Sequence, residues 1–139
     1  MKFRVVVLLM ATACGLVATG NPSLPSIKRE TLTMSTSSWD GVPYKSYPAG
    51  RPQMAVLKIT LAPHTTMNWH THPIPSAAYV LSGDLTVEKK SGTRKHFVAG
   101  QAFTETVNSI HRGITDDKGV VLIVFYAGNA GLPLLQSDR

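Results

Sequence analysis

The sequence predicts an all-β domain, built as a sandwich or a small barrel, and three observations support this prediction. Short apolar runs recur along the chain, and several of them alternate between apolar and polar residues. Turn signals rich in Gly, Asp, Asn and Ser separate these runs about every eight to twelve residues. No segment shows a helical period of useful length. The chain has 139 residues, the length of one ordinary domain, so a single core is expected.

The first strand is predicted at residues 53–61, after a proline-flanked edge segment at 43–48. The sequence of this strand, QMAVLKITL, directs alternate side chains to opposite faces. One face is entirely apolar and is expected to meet the core; it carries Ala55, Leu57, Ile59 and Leu61.

The remaining strands are predicted at residues 68–72, 77–81, 85–88, 96–98, 102–107 and 120–126, and the segment 108–112 carries His111 on a later strand after a turn. Turns are predicted at residues 82–84, 99–101 and 116–119, and a charged hairpin tip surrounds Ser91-Gly92. The segments 77–81 and 120–126 are apolar on both faces, although a barrel strand packs only one face against its core. A second subunit or the N-terminal arm must therefore cover the other face, and we expect a homodimer.

Residues 1–20 are interpreted as a signal peptide, residues 21–38 as an N-terminal linker or arm, and residues 39–139 as the folded domain. Lys2 and Arg4 precede an apolar run that ends in small residues, the pattern of an export signal. The run is shorter than the roughly 20 residues that span a bilayer, so no membrane span is expected. We expect an exported protein, periplasmic or secreted. Residues 11–15 also resemble a lipobox, which would make it a lipoprotein through Cys14.

The charge pattern argues against a nucleic-acid partner. The formal net charge is +6, but two basic residues lie in the predicted signal peptide and most others are scattered. The only tight basic group is the hairpin tip, and no aromatic side chains interleave with its lysines. Cys14 is the only cysteine, so the predicted domain holds no disulfide and depends on packing, a metal or a partner subunit.

Three histidines form the candidate site. His70 and His72 are two residues apart on a predicted strand, so both rings point to the same side. His111 follows a later turn, where a barrel could bring it in from a neighbouring strand. Zinc and divalent iron or manganese accept imidazole nitrogen, so the pattern predicts a metal site.

The first half of this pattern resembles the first motif of the cupin family, which reads Gly, five residues, His-x-His, three or four residues, Glu, six residues, Gly. His70, His72 and Gly83 match this motif. His64 stands at the first Gly position and Ser76 at the Glu position.

The second half resembles the second cupin motif, which reads Gly, five residues, Pro-x-Gly, two residues, His, three residues, Asn. Gly100 and His111 match it, while Thr106, Asn108 and Thr115 stand at the Pro, Gly and Asn positions. The resemblance spans roughly residues 39 to 130. It implies a single-domain double-stranded β-helix, the jelly-roll barrel of cupins, with a divalent metal (Fe, Mn or Zn) and a small-molecule ligand.

The missing motif glutamate leaves two readings of the metal site. Either the site has three histidines with open positions for water and substrate, or another acid supplies a fourth ligand. Glu105 is the best candidate, because it lies in an apolar strand where an unpaired inward carboxylate would be costly. The alternative is that Glu105 faces solvent or pairs with Arg112.

The surroundings of the histidines can also be predicted. Trp69 alternates with the two histidines and should point away from the metal. A small apolar cavity is expected, with walls formed by Met67, Ala78, Val80 and Phe103. His64 and His96 are expected at the surface, and Arg112 either binds a substrate carboxylate or has a structural role.

The resemblance implies two functions. One is an enzyme of dioxygenase, isomerase or lyase type acting on a small, often anionic molecule; the three-histidine pattern is similar to cupin thiol and diketone dioxygenases. The other is a non-catalytic module that binds or senses a small ligand. No dedicated acid–base pair in the sequence chooses between them.

Overall fold

The structure is a computed structural model that describes residues 27–138, so the predicted signal peptide and the first part of the predicted arm lie outside the described residues. Residues 31–138 belong to one compact unit. The described residues form eight strands and no helix. These strands are β1 (Pro52–Leu61), β2 (His70–Thr71), β3 (Ser76–Lys89), β4 (Arg94–Val98), β5 (Ala102–Thr104), β6 (His111–Ile114), β7 (Val120–Asn129) and β8 (Gln136–Ser137).

The strands form a curled antiparallel sheet in which the long strand β3 takes part in both halves. In one half, β7 lies between β1 and the first part of β3, and β5 pairs with the other edge of β3. In the other half, β4 and β6 flank the second part of β3, and the order continues from β6 to β2 and β8. The predicted all-β jelly-roll architecture is confirmed. No helix among the described residues is long and apolar enough to cross a membrane.

Strand β1 shows why the alternating pattern was informative. Its odd-numbered residues from Ala55 to Leu61 are partly buried against the core, while the even-numbered residues between them are exposed. The core that these side chains meet is built mainly from alternate residues of β3 and β7, together with two stacked phenylalanines. Its buried apolar members are Ile74, Ala78, Val80, Leu85, Val87, Phe97, Phe103, Val120, Leu122, Val124 and Tyr126.

The turn predicted at residues 82–84 is wrong, because β3 runs through this point as one strand of 14 residues. The strand instead contains an irregularity between Val80 and Ser82, at which its register on β7 shifts. Gly83 has φ +73°, and a Cβ there would lie 2.0 Å from the carbonyl oxygen of Gly119. The glycine therefore accommodates a close backbone approach and a bulge, and no chain reversal follows.

The bulge has a consequence for the core. Before it, the buried positions of β3 are even-numbered (Ser76, Ala78 and Val80). After it, they are odd-numbered (Leu85 and Val87). One extra residue in a strand of period two exchanges its two faces, so both halves of β3 can bury apolar side chains.

Residues 36–44 pack on this sheet. The Trp39 amide donates to the carbonyl of Thr104 at 2.9 Å, and the Trp39 ring meets Phe97 edge to face. The side chain of Asp40 is only 4% exposed and forms an ion pair with Lys89 at the end of β3. Burial alone would raise the pKa of Asp40, but hydrogen bonds from Lys89, Ser38 and the Val42 amide, with the lysine charge, hold it below its ordinary value.

The outer face of β1, β7 and β3 carries exposed apolar side chains. Met54 is 75% exposed and Val56 is 67% exposed, and Phe125 and Leu81 are also exposed. The register places Val56 beside Phe125, and Phe125 beside Ala77, so the side chains form a continuous row across three strands. We call Met54, Val56, Leu81 and Phe125 the apolar patch; it is the part of this face that the prediction of a covering surface concerns.

Candidate metal centre

The three predicted histidines lie together in the interior. His70 in β2 pairs directly with His111 at the start of β6. His72 lies two residues after His70, just beyond the end of β2, and faces the same side. The ring centroids of the three pairs are 4.5, 5.0 and 5.1 Å apart. All three residues are buried, with 2–5% of their surface exposed, and one nitrogen of each lies within 4.8 Å of the others. Imidazole nitrogens this close together could hold a single divalent ion.

Backbone carbonyls determine which nitrogen of each ring carries the proton. Nδ1 of His70 lies 2.8 Å from the carbonyl oxygen of Asn68, and Nδ1 of His111 lies 2.8 Å from that of Ser109. Nδ1 of His72 lies 2.7 Å from the carbonyl oxygen of Leu134. A carbonyl only accepts, so each Nδ1 must donate, and each neutral ring keeps its Nε2 lone pair for another partner. Carbonyl partners of this kind are typical of imidazoles that bind metals.

Glu105 lies beside these rings. It follows β5, and its amide donates to the carbonyl of Ser76 at 2.9 Å, so the two residues are neighbours across the sheet. Its Oε2 atom lies 3.6 Å from Nε2 of His111. Both atoms are buried, and neither has a hydrogen-bond partner among residues 27–138. The arrangement therefore contains two polar atoms that a metal ion would satisfy together.

The reading in which Glu105 faces solvent or pairs with Arg112 is wrong. Glu105 is only 9% exposed and points into the barrel. Arg112 has its own partner, because its Nε and Nη2 atoms both lie 2.7 Å from a carboxylate oxygen of Glu88. The guanidinium of Arg112 also stacks 4.3 Å from the centre of the Trp69 ring, on the outer face of the sheet. The structural alternative for Arg112 is the one observed, and Trp69 points away from the histidines as predicted.

Burial shapes the electrostatics of the centre. It is the main reason that the pKa values of His70, His72 and His111 are lowered from their ordinary value of 6.5, which keeps the rings neutral. Burial also raises the pKa of Glu105 above its ordinary value of 4.5. Neutral imidazoles can bind a metal ion. A nearby cation would also lower the pKa of the buried carboxyl and stabilise its ionised form.

Two residues that stand at glycine positions of the cupin motifs have left-handed backbones. His64 has φ +55° and Asn108 has φ +53°, and they are the only non-glycine residues with positive φ in the described part of the chain. Such backbones are uncommon outside glycine, although Asn and His adopt them more often than most residues. Each residue precedes a metal-site histidine in sequence, so the turn geometry is retained without the glycine. The side chain of His64 is exposed and lies 3.4 Å from Asp117, and His96 is also exposed, as predicted.

The threonines at the other substituted motif positions have structural roles. The hydroxyl of Thr106 lies 3.0 Å from Nδ1 of His111, beside the carbonyl that fixes this ring. The hydroxyl of Thr115 donates to the carbonyl of Ala62 at 2.7 Å and accepts from the amide of Thr65 at 3.0 Å. Thr115 therefore holds the loop that leads into the metal strand.

The histidines line a small cavity of about 50 Å³. Met67 lines it as predicted, but the prediction for Ala78, Val80 and Phe103 is wrong, because these side chains pack in the apolar core and Phe103 stacks on Phe97 at 3.9 Å. The cavity wall instead contains Ile59, Met67, Leu85, Val87, Glu105, Gly113, Leu122, Val124, Tyr126 and Leu135.

Sequence reasoning missed most of these wall residues, and two of them, Tyr126 and Leu135, matter most for the site. The ring of Tyr126 lies 5.7 Å from that of His72, and burial, with a smaller contribution from Glu105, raises its pKa to about 12. The signal was present, because Leu122, Val124 and Tyr126 alternate along β7 and only the last carries a polar atom. Leu135 comes from the C-terminal segment, and nothing in its local sequence indicates that it reaches the site.

Comparisons with known proteins support the fold. No protein-family model matches the chain, and no curated protein matches it. Among solved structures, a cupin-like protein from Thermotoga maritima aligns with a TM-score of 0.55 and 17% identity, over 61% of this chain and 64% of that one. The protein has the cupin fold.

Two solved enzymes share this cupin fold. The DMSP lyase DddQ from Ruegeria pomeroyi aligns with a TM-score of 0.55 and 15% identity, over 70% of this chain and 46% of that one. Oxalate decarboxylase from Bacillus subtilis aligns with a TM-score of 0.52 and 15% identity, over 60% of this chain and 23% of that one. The chain spans less than two thirds of the length of each of these structures, and at such identities the likeness concerns the fold alone.

Proposed function

We propose that this cupin domain binds one divalent metal ion through His70, His72, His111 and Glu105, and that it is an enzyme acting on a small molecule at that ion. The observation that supports this proposal most directly is the pair of buried polar atoms without partners, Oε2 of Glu105 and Nε2 of His111, 3.6 Å apart. Two further imidazoles converge on the same point with their Nε2 atoms free to bind. Imidazole and carboxylate together suit iron, manganese or zinc.

Glu105 takes the role of the motif glutamate from the opposite strand. Ser76 stands at the motif position, but its buried hydroxyl is a poor replacement for a carboxylate. Because Glu105 pairs with Ser76 across the sheet, a carboxylate returns to nearly the same place from a different part of the chain. Three neutral imidazoles leave the full charge of a dication at the centre, and a carboxylate ligand would reduce this net charge.

The cavity favours a small ligand with a negative charge or a polarised oxygen. A cavity must have a volume of about 10–15 Å³ to hold one water molecule. The cavity here, of about 50 Å³, therefore admits only a few heavy atoms beside the ion. A bound divalent ion would polarise a ligand oxygen or carbonyl at this point. Tyr126 stays protonated at neutral pH, so its hydroxyl is available to donate a hydrogen bond to an anionic ligand. Chemistry of dioxygenase, isomerase or lyase type fits these features.

Metal analysis of the purified protein tests the first part of the proposal. We expect one equivalent of a divalent metal per chain in protein isolated from its native host, and loss of that metal in the His111→Ala variant. His96→Ala is the matched control, because His96 is exposed and should leave the metal content unchanged. Full metal content in His111→Ala would contradict the assignment of the site.

The second candidate is a non-catalytic module that holds or senses a small ligand. The observation that favours it is the cavity of about 50 Å³, which is well below the roughly 300–1,000 Å³ of common ligand pockets and leaves room for an ion and a few ligand atoms but little room for a substrate to react. Substrate loss and oxygen uptake, measured together on the iron-loaded protein with a panel of small thiols, diketones and carboxylates, separate the two candidates. Turnover that His111→Ala abolishes supports the enzyme, whereas saturable binding with no turnover of any panel member supports the binding module.

We further propose that a second copy of the chain covers the apolar patch formed by Met54, Val56, Leu81 and Phe125. The support is the exposed pair Val56 and Phe125 on neighbouring strands, the exposed side chains of Met54 and Leu81, and the free edge of β1, which in the described part of the chain pairs only with β7. Large exposed apolar patches commonly mark interfaces. Val56→Lys should convert a dimer into a monomer in light scattering, whereas Lys58→Ala, on the same outer face, should not. A wild-type monomer would leave the N-terminal arm as the other covering surface.

Export to the periplasm or the medium remains a proposal based on residues 1–20, which lie outside the described residues. N-terminal sequencing of the mature protein is the direct measurement. A start near residue 21 supports cleavage by a signal peptidase, and a lipidated Cys14 supports the lipoprotein. An intact Met1 on protein from the native host would contradict export by either route.

A further inference from the structure

The last described residues of the chain run along the edge of the metal site. We call residues 132–138 the strap. Its short strand β8 pairs with β2, with Ser137 opposite His70 and Gln136 opposite Thr71. The amide of Asp138 donates to the carbonyl of Trp69 at 3.0 Å, and the carboxylate of Asp138 forms an ion pair with Lys90. The strap therefore lies against the two-residue strand that carries the first metal-site histidine.

The strap forms a hydrogen bond with only one of the three histidine rings, that of His72. His70 and His111 each donate from Nδ1 to a carbonyl two residues earlier in their own segments. Nδ1 of His72 donates to the carbonyl of Leu134, which is 62 residues away in the sequence. Local chain geometry thus orients two of the rings, whereas the orientation and tautomer of His72 depend on where the strap lies.

The next residue of the strap also faces the site. Leu135 lines the metal cavity, although the residue is 41% exposed, so it stands at the rim. Leu134 is partly buried against the hydrophobic core. A single short segment therefore contributes an acceptor for one ring and part of the wall in front of all three.

We propose that the strap is a positioning element of the metal site, and that docking of residues 132–138 on β2 selects the tautomer of His72 that can bind the ion. This inference rests on the proposed metal site. With the strap docked, the Leu134 carbonyl holds the proton on Nδ1 and leaves Nε2 free. With the strap released, that acceptor is lost, and the Nε2–H form, which cannot bind the ion through Nε2, becomes populated.

The matched pair of variants in the full-length chain is Gln136→Pro/Asp138→Pro and Gln136→Ala/Asp138→Ala. The register of β8 on β2 makes 136 and 138 alternate positions of one ladder, and the Asp138 amide is seen to bond to Trp69. Proline removes the backbone donors at both positions, whereas alanine removes the same side chains and keeps both donors. The two variants therefore differ in strap docking and share the loss of the ion pair with Lys90.

Nitrogen NMR of the metal-free proteins gives a readout that needs no metal. In the alanine variant, His72, His70 and His111 should all show the Nδ1–H form. In the proline variant, His72 should gain the Nε2–H form, while His70 and His111 stay unchanged. Affinity for Zn²⁺, measured by chelator competition, should fall about 10–100-fold in the proline variant relative to the alanine variant. An unchanged tautomer of His72, or equal Zn²⁺ affinity in both variants, would overturn the proposal.

A measurement on the wild-type protein covers the case in which the proline variant does not fold. Coupling between two events is reciprocal, so if strap docking favours Zn²⁺ binding, Zn²⁺ must favour strap docking. Saturating Zn²⁺ should therefore slow hydrogen exchange at the Asp138 amide, while the Ala130 amide, which bonds to Arg51 before the strap, serves as a reference. Equal exchange at Asp138 with and without bound Zn²⁺ would overturn the proposal. Failure to bind Zn²⁺ at all would instead refute the metal site, and the tautomer comparison would still decide the role of the strap.

Discussion

Replacing Glu105 by glutamine should make the metal-free protein more stable and the metal site weaker. The substitution keeps the shape of the side chain and removes its charge. In the folded protein Glu105 is buried and its Oε2 atom has no hydrogen-bond partner among the described residues. Leaving a buried group in this condition costs about 1–3 kcal/mol, and more for a charge. A glutamine amide placed there could donate to Nε2 of His111, the unpartnered atom 3.6 Å from Oε2.

The pH dependence gives this prediction its sign. Burial raises the pKa of Glu105 above 4.5, so between 4.5 and the raised value the folded state binds more protons than the unfolded state. The stability of the wild-type protein should therefore fall as pH rises through this window, and the loss should be complete above the raised pKa. Glutamine cannot ionise, so Glu105→Gln should lack this fall, and the difference between the two proteins should grow with pH.

Thermal unfolding of both metal-free proteins between pH 4.5 and pH 8 measures the effect. We expect a gain of about 1–3 kcal/mol for Glu105→Gln at pH 8 and a smaller difference near pH 4.5. A change of 1 kcal/mol shifts Tm by roughly 4 °C in a domain of this size, between the shifts typical of smaller and larger domains. Metal affinity should move in the opposite direction and fall at least about tenfold, because an anionic ligand is lost.

The matched control is Glu88→Gln, which makes the same chemical change on the outer face of the sheet, where the carboxylate pairs with Arg112 and Arg94. It should leave metal affinity unchanged and produce no gain in stability. Equal stability of Glu105→Gln and wild type at every pH would refute the assignment of an unpaired buried carboxyl. Unchanged metal affinity would remove Glu105 from the ligand set.

Three other outcomes are expected. Gly83→Ala should destabilise the protein by about 2–4 kcal/mol in urea unfolding, because its Cβ would meet Gly119 at 2.0 Å and its φ is +73°. Gly92→Ala, at φ +90° with open space around it, should cost only about 1–2 kcal/mol, and equal losses would refute the clash. Leu135→Ala should widen the cavity, so that the cobalt-loaded protein binds benzoate more tightly and formate as before in visible absorption titrations; unchanged benzoate binding would contradict a wall role. In the metal-free Glu105→Gln protein, Tm should fall as pH drops below 6.5, because burial lowers the pKa values of the three imidazoles and the unfolded chain binds more protons; a flat profile would contradict their burial as neutral rings.

Much of the fold was predictable because a strand with one buried face has an alternating pattern of apolar and polar residues. The alternation in residues 53–61 gave both the strand and the buried face of β1, since a pleated strand with one buried face must alternate. The same rule predicted that His70 and His72 share a side and that Trp69 opposes them. It failed at residues 82–84, where a glycine supports a bulge within one long strand, because the composition of a bulge and that of a turn are alike.

Only those parts of the site could be predicted whose residue type and spacing are recognisable in the sequence. Three histidines at suitable spacing indicated a metal, and the cupin motif positions placed His111 on the neighbouring strand. The orientation of Glu105 does not follow from the sequence: the strand predicted at 102–107 ends at Thr104 in the structure, so strand alternation does not extend to Glu105. Strand period predicts that Ala78 and Val80 face inward, which is correct, but it does not say which part of the interior they reach, and they pack with Phe103 in the core away from the cavity wall.

The sequence by itself determined most of the strand pattern and the identity of three imidazoles, because each depends on residues close together in the chain. Only the tertiary structure decided that Glu105 meets His111, that the hydroxyl-bearing ring of Tyr126 enters the cavity and that the Leu134 carbonyl fixes His72. These contacts join segments separated by 6 to 62 residues, and their geometry follows from sheet register and curl. A local pattern specifies which way a side chain faces from its own strand, whereas the packing of all the strands determines what it faces.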